Sequence, residues 1–368
     1  MLLKFKVPSG ITALIIGCIF GYYDSSIQTD QLFRFLAQIG ITSLFVFSGL
    51  EVNIEEFKED KEYLIKYSLK SFTALGLIAF GLMNVLDLSV QNSIILGLGI
   101  FTPSAGFIIN SLHSFKIGED QEYWVKSKAI SKEVISIIVM FVALQSHDLK
   151  VMSFSIIFFV GLFLILPYVF KFYFKFISPY APNSEVPFLV VISLIAGVIS
   201  KELGAYYLIG AFIVGLVGSQ FKHKIFNDDE ETLFTALSSF FNVFLPFYFF
   251  YAGVKLTFGG FTAEALQLGS IFLILFIPLR LALNATSIKW MLKDFKKHPY
   301  DISLSLMPTL IFGLVIAGIL KERNAVSSTI IYGLIFYTLI SSLLPTILFS
   351  FQKREKDQMN LFKEDNED

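Results

Sequence analysis

Apolar residues fall along this chain in runs of about 17–25, separated by short polar connections, and that run length spans a bilayer core as a helix. The runs predict helices at about 8–23, 32–52, 63–86, 91–112, 124–145, 151–176, 186–201, 205–221, 232–255, 264–291, 302–320 and 327–351. The expected fold class is therefore all-α: a polytopic membrane protein of about twelve transmembrane helices. One transmembrane domain is expected over residues 1–351. Residues 352–368 are charged and polar and are expected to form a disordered cytoplasmic tail. The longest polar connections, such as Ser114–Lys128 and Lys222–Glu231, leave a catalytic or nucleotide-binding module nowhere to reside, so an enzyme is not expected.

Composition sharpens this picture. Of 368 residues, 55% are hydrophobic and 16% charged, with a mean hydropathy of +0.68, whereas soluble domains carry about a quarter charged residues. The net charge of −1 offers no basic surface for nucleic acid. Cys18 stands alone, so no disulfide frame or thiolate metal site is expected. His113, His147, His223 and His298 lie in or beside polar connections, which gives no histidine metal site; no cofactor is implied. Lys4 and Lys6 before Ile16-Gly17-Cys18 faintly suggest a lipoprotein signal, but a first transmembrane helix fits the apolar runs that follow.

Basic residues set the expected orientation. Lys4, Lys6, Lys58, Lys116, Lys171, Lys222, Lys293 and Lys353 are among the many on one side. Arg34, Lys150, Lys201, Lys255, Lys321 and Arg323 lie on the other. The bias puts both termini in the cytoplasm of a multi-pass protein of the inner (plasma) membrane.

An ionisable group inside a membrane helix costs about 2.5–3.5 kcal/mol on insertion scales, so such residues mark candidate chemistry. Glu51, Lys70, Lys132, Glu133 and Arg280 are the candidates. Glu51 falls near a helix end and reads as structural. Glu133 lies about nine residues beyond Trp124, roughly 13 Å along the helix and near the midplane. Two helices carry internal breakers, Thr102-Pro103-Ser104 in the fourth and Met307-Pro308-Thr309 in the eleventh. Interrupted segments in corresponding halves point to a transporter site and to inverted repeats, the third to fifth helices matching the tenth to twelfth. Lys70 and Arg280 each precede a broken helix in that scheme. Isolated prolines are also tolerated in membrane helices; it is the pairing that carries weight. Gly210, Gly215 and Gly218 suit either close helix approach at a dimer face or ordinary membrane-helix packing.

These residues resemble the monovalent cation:proton antiporters of the sodium/hydrogen exchanger superfamily, over nearly the whole chain and in order. Val7-Pro8 resembles the "LP" that opens the family's first helix. Leu44–Glu51 resembles "LLFLAGLE", and Ala129–Val134 resembles "AVIDDV". Leu208–Leu216 resembles "ILGAFLAGL", Leu245–Val254 "PLFFVSVGL", and Phe312–Ala317 "FGLVIA". Thr102–Ala105 resembles the threonine-containing break of the first crossing helix. The resemblance implies a core of crossing helices (about 63–145 and 264–351) and a dimerising panel (about 8–52 and 205–255), working by alternating access. It implies ion binding by Glu133 with Thr102, Ser131 and Lys132, a tuning charge at Arg280, helix breaks at Pro103 and Pro308, and a homodimer in a lipid bilayer.

Two departures bear on function. Lys132 stands where the family has the first acid of its pair, and Pro308-Thr309-Leu310-Ile311 lacks both charges of "PRGE". Lys132 and Arg280 are both expected to approach Glu133, and Lys132 is a candidate proton carrier. The function implied is exchange of Na+ or K+ for protons. The alternatives are a transport-impaired sensor or subunit with an unidentified protein partner, and a carrier of anions or organic solutes.

Overall fold

A computed structural model describes residues 9–52, 61–115, 117–145, 149–181, 184–203, 207–221, 230–291, 299–323 and 325–364. Among them the secondary structure is helical, without strands. The helices are α1 (Ser9–Tyr23), α2 (Gln31–Leu50), α3 (Lys61–Leu86), α4 (Val90–Phe101), α5 (Ala105–Phe115), α6 (Glu119–Gln145), α7 (Leu149–Phe176), α8 (Glu185–Glu202), α9 (Tyr207–Gly218), α10 (Glu230–Val254), α11 (Ala263–Met291), α12 (Pro299–Ser305), α13 (Leu310–Glu322) and α14 (Ser328–Glu364). Among the described residues six spans are long and apolar enough to cross a membrane, and seven if the pair α12 and α13, bent by 41°, is one span. Val7-Pro8 lies outside the described residues.

Local signals explain several boundaries. The Asp30 carboxylate accepts from the Phe33 N–H and the Ser89 hydroxyl from the Asn92 N–H, capping α2 and α4. Helix α3 ends where Asp87 turns into the left-handed region at φ 50°, and the Leu88 N–H closes back on the Met83 carbonyl. The expected disorder after Phe351 is corrected: α14 runs on to Glu364. Residues 352–364 hold no glycine or proline and are rich in Lys, Glu, Gln, Met and Leu, which favour helix.

The chain divides into two compact units, and the division falls within α3 and α6. One comprises Ser9–Phe72 and Val134–Gly259. Here α10 packs on both α1 and α2, and α9 packs on α2 and α8. Glycines let these backbones touch. A side chain at Gly17 would strike the Phe250 carbonyl oxygen, one at Gly253 that of Leu14, and one at Gly215 that of Val46. Gly210 meets Ala196, and Gly218 meets Leu50 and Leu189, so these glycines serve packing inside the chain rather than a dimer face. Glu51 is the C-cap of α2.

The other unit draws on Thr73–Glu133 and Gly260–Asp368. In it α13 packs on α4 and α14, and α11 packs on α14 and α12. Its two helix interruptions, 102–104 between α4 and α5 and 306–309 between α12 and α13, are both fully or almost fully buried.

The glycine contacts give a stability test. Gly215→Ala should destabilise the protein by about 1–3 kcal/mol, the usual range for overpacking against unyielding atoms. Gly81→Ala, where nothing lies within 4 Å, should be neutral or stabilising by up to about 1 kcal/mol. Thermal melting in detergent micelles separates the two.

Candidate functional site

Proline makes the breaks. Pro103 and Pro308 lack the N–H that would continue a helix, and each ring clashes with the preceding turn. Thr102, just before Pro103, is extended (φ −81°, ψ 121°) and caps α4, its N–H bonded to the Leu98 carbonyl. The freed groups are satisfied across the unit. The Ser104 N–H donates to the Pro308 carbonyl at 2.9 Å. The Ser104 hydroxyl accepts from the Ile311 and Phe312 N–H groups, both at 3.0 Å. It thus caps the first turn of α13, where Thr309 makes no side-chain cap of its own. The Thr309 N–H instead donates to the Ser342 hydroxyl at 3.2 Å, and its own hydroxyl pairs with Ser341 at 3.1 Å.

Glu133 comes to the first break from α6. It is 1% exposed, and its Oε2 accepts from the Ala105 N–H at 2.9 Å. Ala105 opens α5, so the carboxylate sits at a helix N-terminus, where the partial positive charge favours it. Its Oε1 is buried and makes no hydrogen bond. One oxygen therefore fixes the group and the other is open to a proton or a metal cation.

The cations sit at the opposite helix ends. Arg280, wholly buried on α11, donates from Nη2 to the Leu306 carbonyl at 3.0 Å and from Nη1 to the Tyr337 hydroxyl at 2.9 Å. The Tyr337 hydroxyl in turn donates to the Ile100 carbonyl at 3.0 Å. Both carbonyls belong to C-terminal ends of half-helices, where positive charge is favoured. The buried Lys132 places Nζ over the Phe101 ring, 3.4 Å from its centroid. Arg280 and Lys128 are near enough to repel it.

The expectation that Lys132 and Arg280 both approach Glu133 is corrected. Neither forms an ion pair with it; the Glu133 carboxylate is held by a backbone N–H. Neighbours on a helix project about 100° apart, so Lys132 and Glu133 address different ends of the broken helices. The Ser131 hydroxyl donates to the Ser127 carbonyl of its own helix at 2.6 Å. Lys70, the supposed counterpart of Arg280, is half-exposed and belongs to the other unit. Sequence reasoning missed Ser104 as a cap, and it missed Tyr337, Ser341 and Ser342. Ser341 falls one turn beyond Tyr337 on α14, but Ser342 projects about 100° away from Ser341, so their spacing marks no single face.

Apolar helices, two of them broken, with a buried carboxylate at one break, define an integral membrane protein of the secondary-transporter class. The family described as "Sodium/hydrogen exchanger, transmembrane" matches residues 1–351, and the chain belongs to it; its members are transporters, not enzymes. The chain is 21% identical over 359 residues to the probable Na(+)/H(+) antiporter 3 of Methanocaldococcus jannaschii, covering 95% of this chain and 91% of that protein. It is 25% identical over 266 residues to the probable Na(+)/H(+) antiporter GerT of Bacillus cereus, covering 69% and 68%. The fold is that of the sodium proton antiporter MjNhaP1 from Methanocaldococcus jannaschii, with a TM-score of 0.66 at 15% identity over 94% of this chain and 90% of that one.

Removing the Ser104 hydroxyl should leave two buried N–H groups unsatisfied. Ser104→Ala is expected to cost about 1–3 kcal/mol, the usual penalty for an orphaned buried donor. Ser131→Ala, whose hydroxyl only back-bonds to its own helix, should stay within about 0.5 kcal/mol. Thermal melting of the two variants checks this; equal losses would contradict the capping role.

Proposed function

We propose that this chain exchanges a monovalent cation, Na+ or K+, for protons across the membrane, with Glu133 as the ligand for which both compete. The observation that carries the reading is the divided role of that carboxylate: Oε2 bonded to the N-terminus of α5, Oε1 buried and unbonded. A single site that holds one species at a time is enough to couple the two flows. The probable Na(+)/H(+) antiporter GerT of Bacillus cereus and the sodium proton antiporter MjNhaP1 support the reading by similarity. Thr102, at the end of α4, is the proposed second ligand. Ser131 and Lys132 are proposed to line the site, and Arg280 to tune it.

The finer architecture belongs to the same proposal. The apolar helices make twelve crossings with both termini in the cytoplasm, counting each broken pair as one. The halves are inverted repeats. Residues 63–145 and 264–351 form a moving core, and 8–52 with 205–255 a panel through which two copies pair. The basic bias of the connections supports the orientation.

The transport-impaired alternative is not favoured. The two departures that suggested it are each accommodated. Lys132 rests on Phe101 instead of neutralising Glu133, and Thr309, inside the stretch that lost its charges, is held by Ser341 and Ser342.

Reconstituted protein tests the reading. With an internal pH dye and external Na+, K+ or Li+, the wild type should show cation-dependent proton flux, and Glu133→Gln should abolish it. The amide still accepts from the Ala105 N–H, so the variant should remain folded. Flux that survives in Glu133→Gln would move the site elsewhere.

A further inference from the structure

One guanidinium serves the C-terminal ends of both half-helices, but it touches only one of them. Arg280 reaches the end of α12 directly, through the Leu306 carbonyl. It reaches the end of α4 through the Tyr337 hydroxyl, which accepts from Nη1 and donates onward to the Ile100 carbonyl. Tyr337 is fully buried on α14. A phenyl ring would fill almost the same space. The hydroxyl is therefore what distinguishes this residue, and it is the link between a charge and a broken helix.

The position of the linked carbonyl gives the relay its consequence. Ile100 directly precedes Phe101, whose ring carries the Lys132 ammonium. Two residues on is Thr102, and three further is Ala105, whose N–H holds Glu133. A buried carbonyl at a helix end needs a donor, and one backed by a guanidinium is stronger than a neutral hydroxyl alone. Without the relay, the end of α4 keeps its backbone bond from Thr102 to Leu98 but loses its tie to Arg280. The break is then free to shift relative to Glu133.

We propose that Tyr337 is a positioning residue for the ion site: its hydroxyl carries the charge of Arg280 onto the end of α4 and so fixes the break that runs from Thr102 to Ala105, the residue that holds Glu133. This rests on the antiporter reading of the same site. Tyr337 touches neither Glu133 nor the transported cation. Its effect is on the fit of the site to the cation.

The test compares wild type, Tyr337→Phe and Arg280→Lys in proteoliposomes. Apparent KM and maximal rate are measured for Na+, K+ and Li+, and thermal melting is measured on the same preparations. Tyr337→Phe should raise apparent KM roughly tenfold, as expected for loss of one charge-assisted hydrogen bond. The maximal rate should stay within about threefold, because Glu133 remains in place. The ratio of KM values among the cations should change as well, because the break's geometry sets the fit. Arg280→Lys should shift KM the same way, since a single ammonium lacks the fork that serves both acceptors. A Tyr337→Phe protein that melts lower but keeps the wild-type KM values would overturn the proposal and make the relay mere scaffold. So would failure of both variants to fold. If only Arg280→Lys folds, an unchanged KM in it overturns the proposal equally. A wild type without any cation-dependent flux would instead remove the antiporter reading on which this rests.

Discussion

A helix broken inside apolar surroundings frees backbone groups that no water is at hand to satisfy, and each one left unpaired costs several kcal/mol. The unit holding Glu133 contains two such breaks, and its buried polar chemistry can be read as the answer to them. The Ser104 N–H goes to Pro308 and the Ser104 hydroxyl to Ile311 and Phe312. The Thr309 N–H goes to Ser342 and the Ala105 N–H to Glu133. The Leu306 and Ile100 carbonyls are reached by Arg280 and Tyr337. Glu133, Arg280 and Lys132 stand at the helix ends whose partial charge is opposite to their own.

That arrangement explains how Lys132 can replace an acid without closing the site. A lysine next to Glu133 in sequence suggests an internal ion pair, which would have left the carboxylate occupied. The structure sends the ammonium to the C-terminal end of α4, over the Phe101 ring, where both the ring face and the helix end favour a cation. Glu133 is left with a backbone partner that takes one oxygen and leaves the other buried and unbonded.

Much of this was legible from the sequence, for physical reasons. Long apolar runs must be helices in lipid, so the helical class could be read directly. Both breaks were marked by the paired placement of Pro103 and Pro308 and not by proline alone, since Pro167, Pro246, Pro278 and Pro345 stay inside helices. The place of Glu133 inside a long helix followed from the run that holds it. Its neighbours could not be read the same way. Counting charges near Glu133 predicted attraction among Lys132, Arg280 and Glu133, because a sequence shows charges but not the helix ends that compete for them. The hydroxyls of α14 escaped notice for a different reason. Serines in apolar helices commonly bond back to their own helix, as Ser193 and Ser200 do here. Nothing in the pattern alone marks Ser342 and Tyr337 as exceptions that reach across to a break. The glycines of α9 were ambiguous because close approach looks the same whether the other helix belongs to the same chain or to a second copy.

The two breaks are satisfied by unlike chemistry, and the difference assigns them different roles. At the first, the N-terminal end of α5 is held by a carboxylate, a group that can change its charge and its ligand. At the second, the N-terminal end of α13 is held by the hydroxyl of Ser104, and the Thr309 just before it by Ser342. Hydroxyls cannot change charge at any pH a cell experiences. Loading and unloading of Glu133, in the proposed function, would thus alter the electrostatics of one break while the other keeps its bonds. Ser104 lies on both sides of this division, since it belongs to the first break and caps the helix that follows the second. Ala105, whose N–H holds Glu133, directly follows Ser104, whose hydroxyl caps α13. If Glu133 is the ion ligand, as proposed, a change in its occupancy would act one residue away from the group that ties the two breaks together.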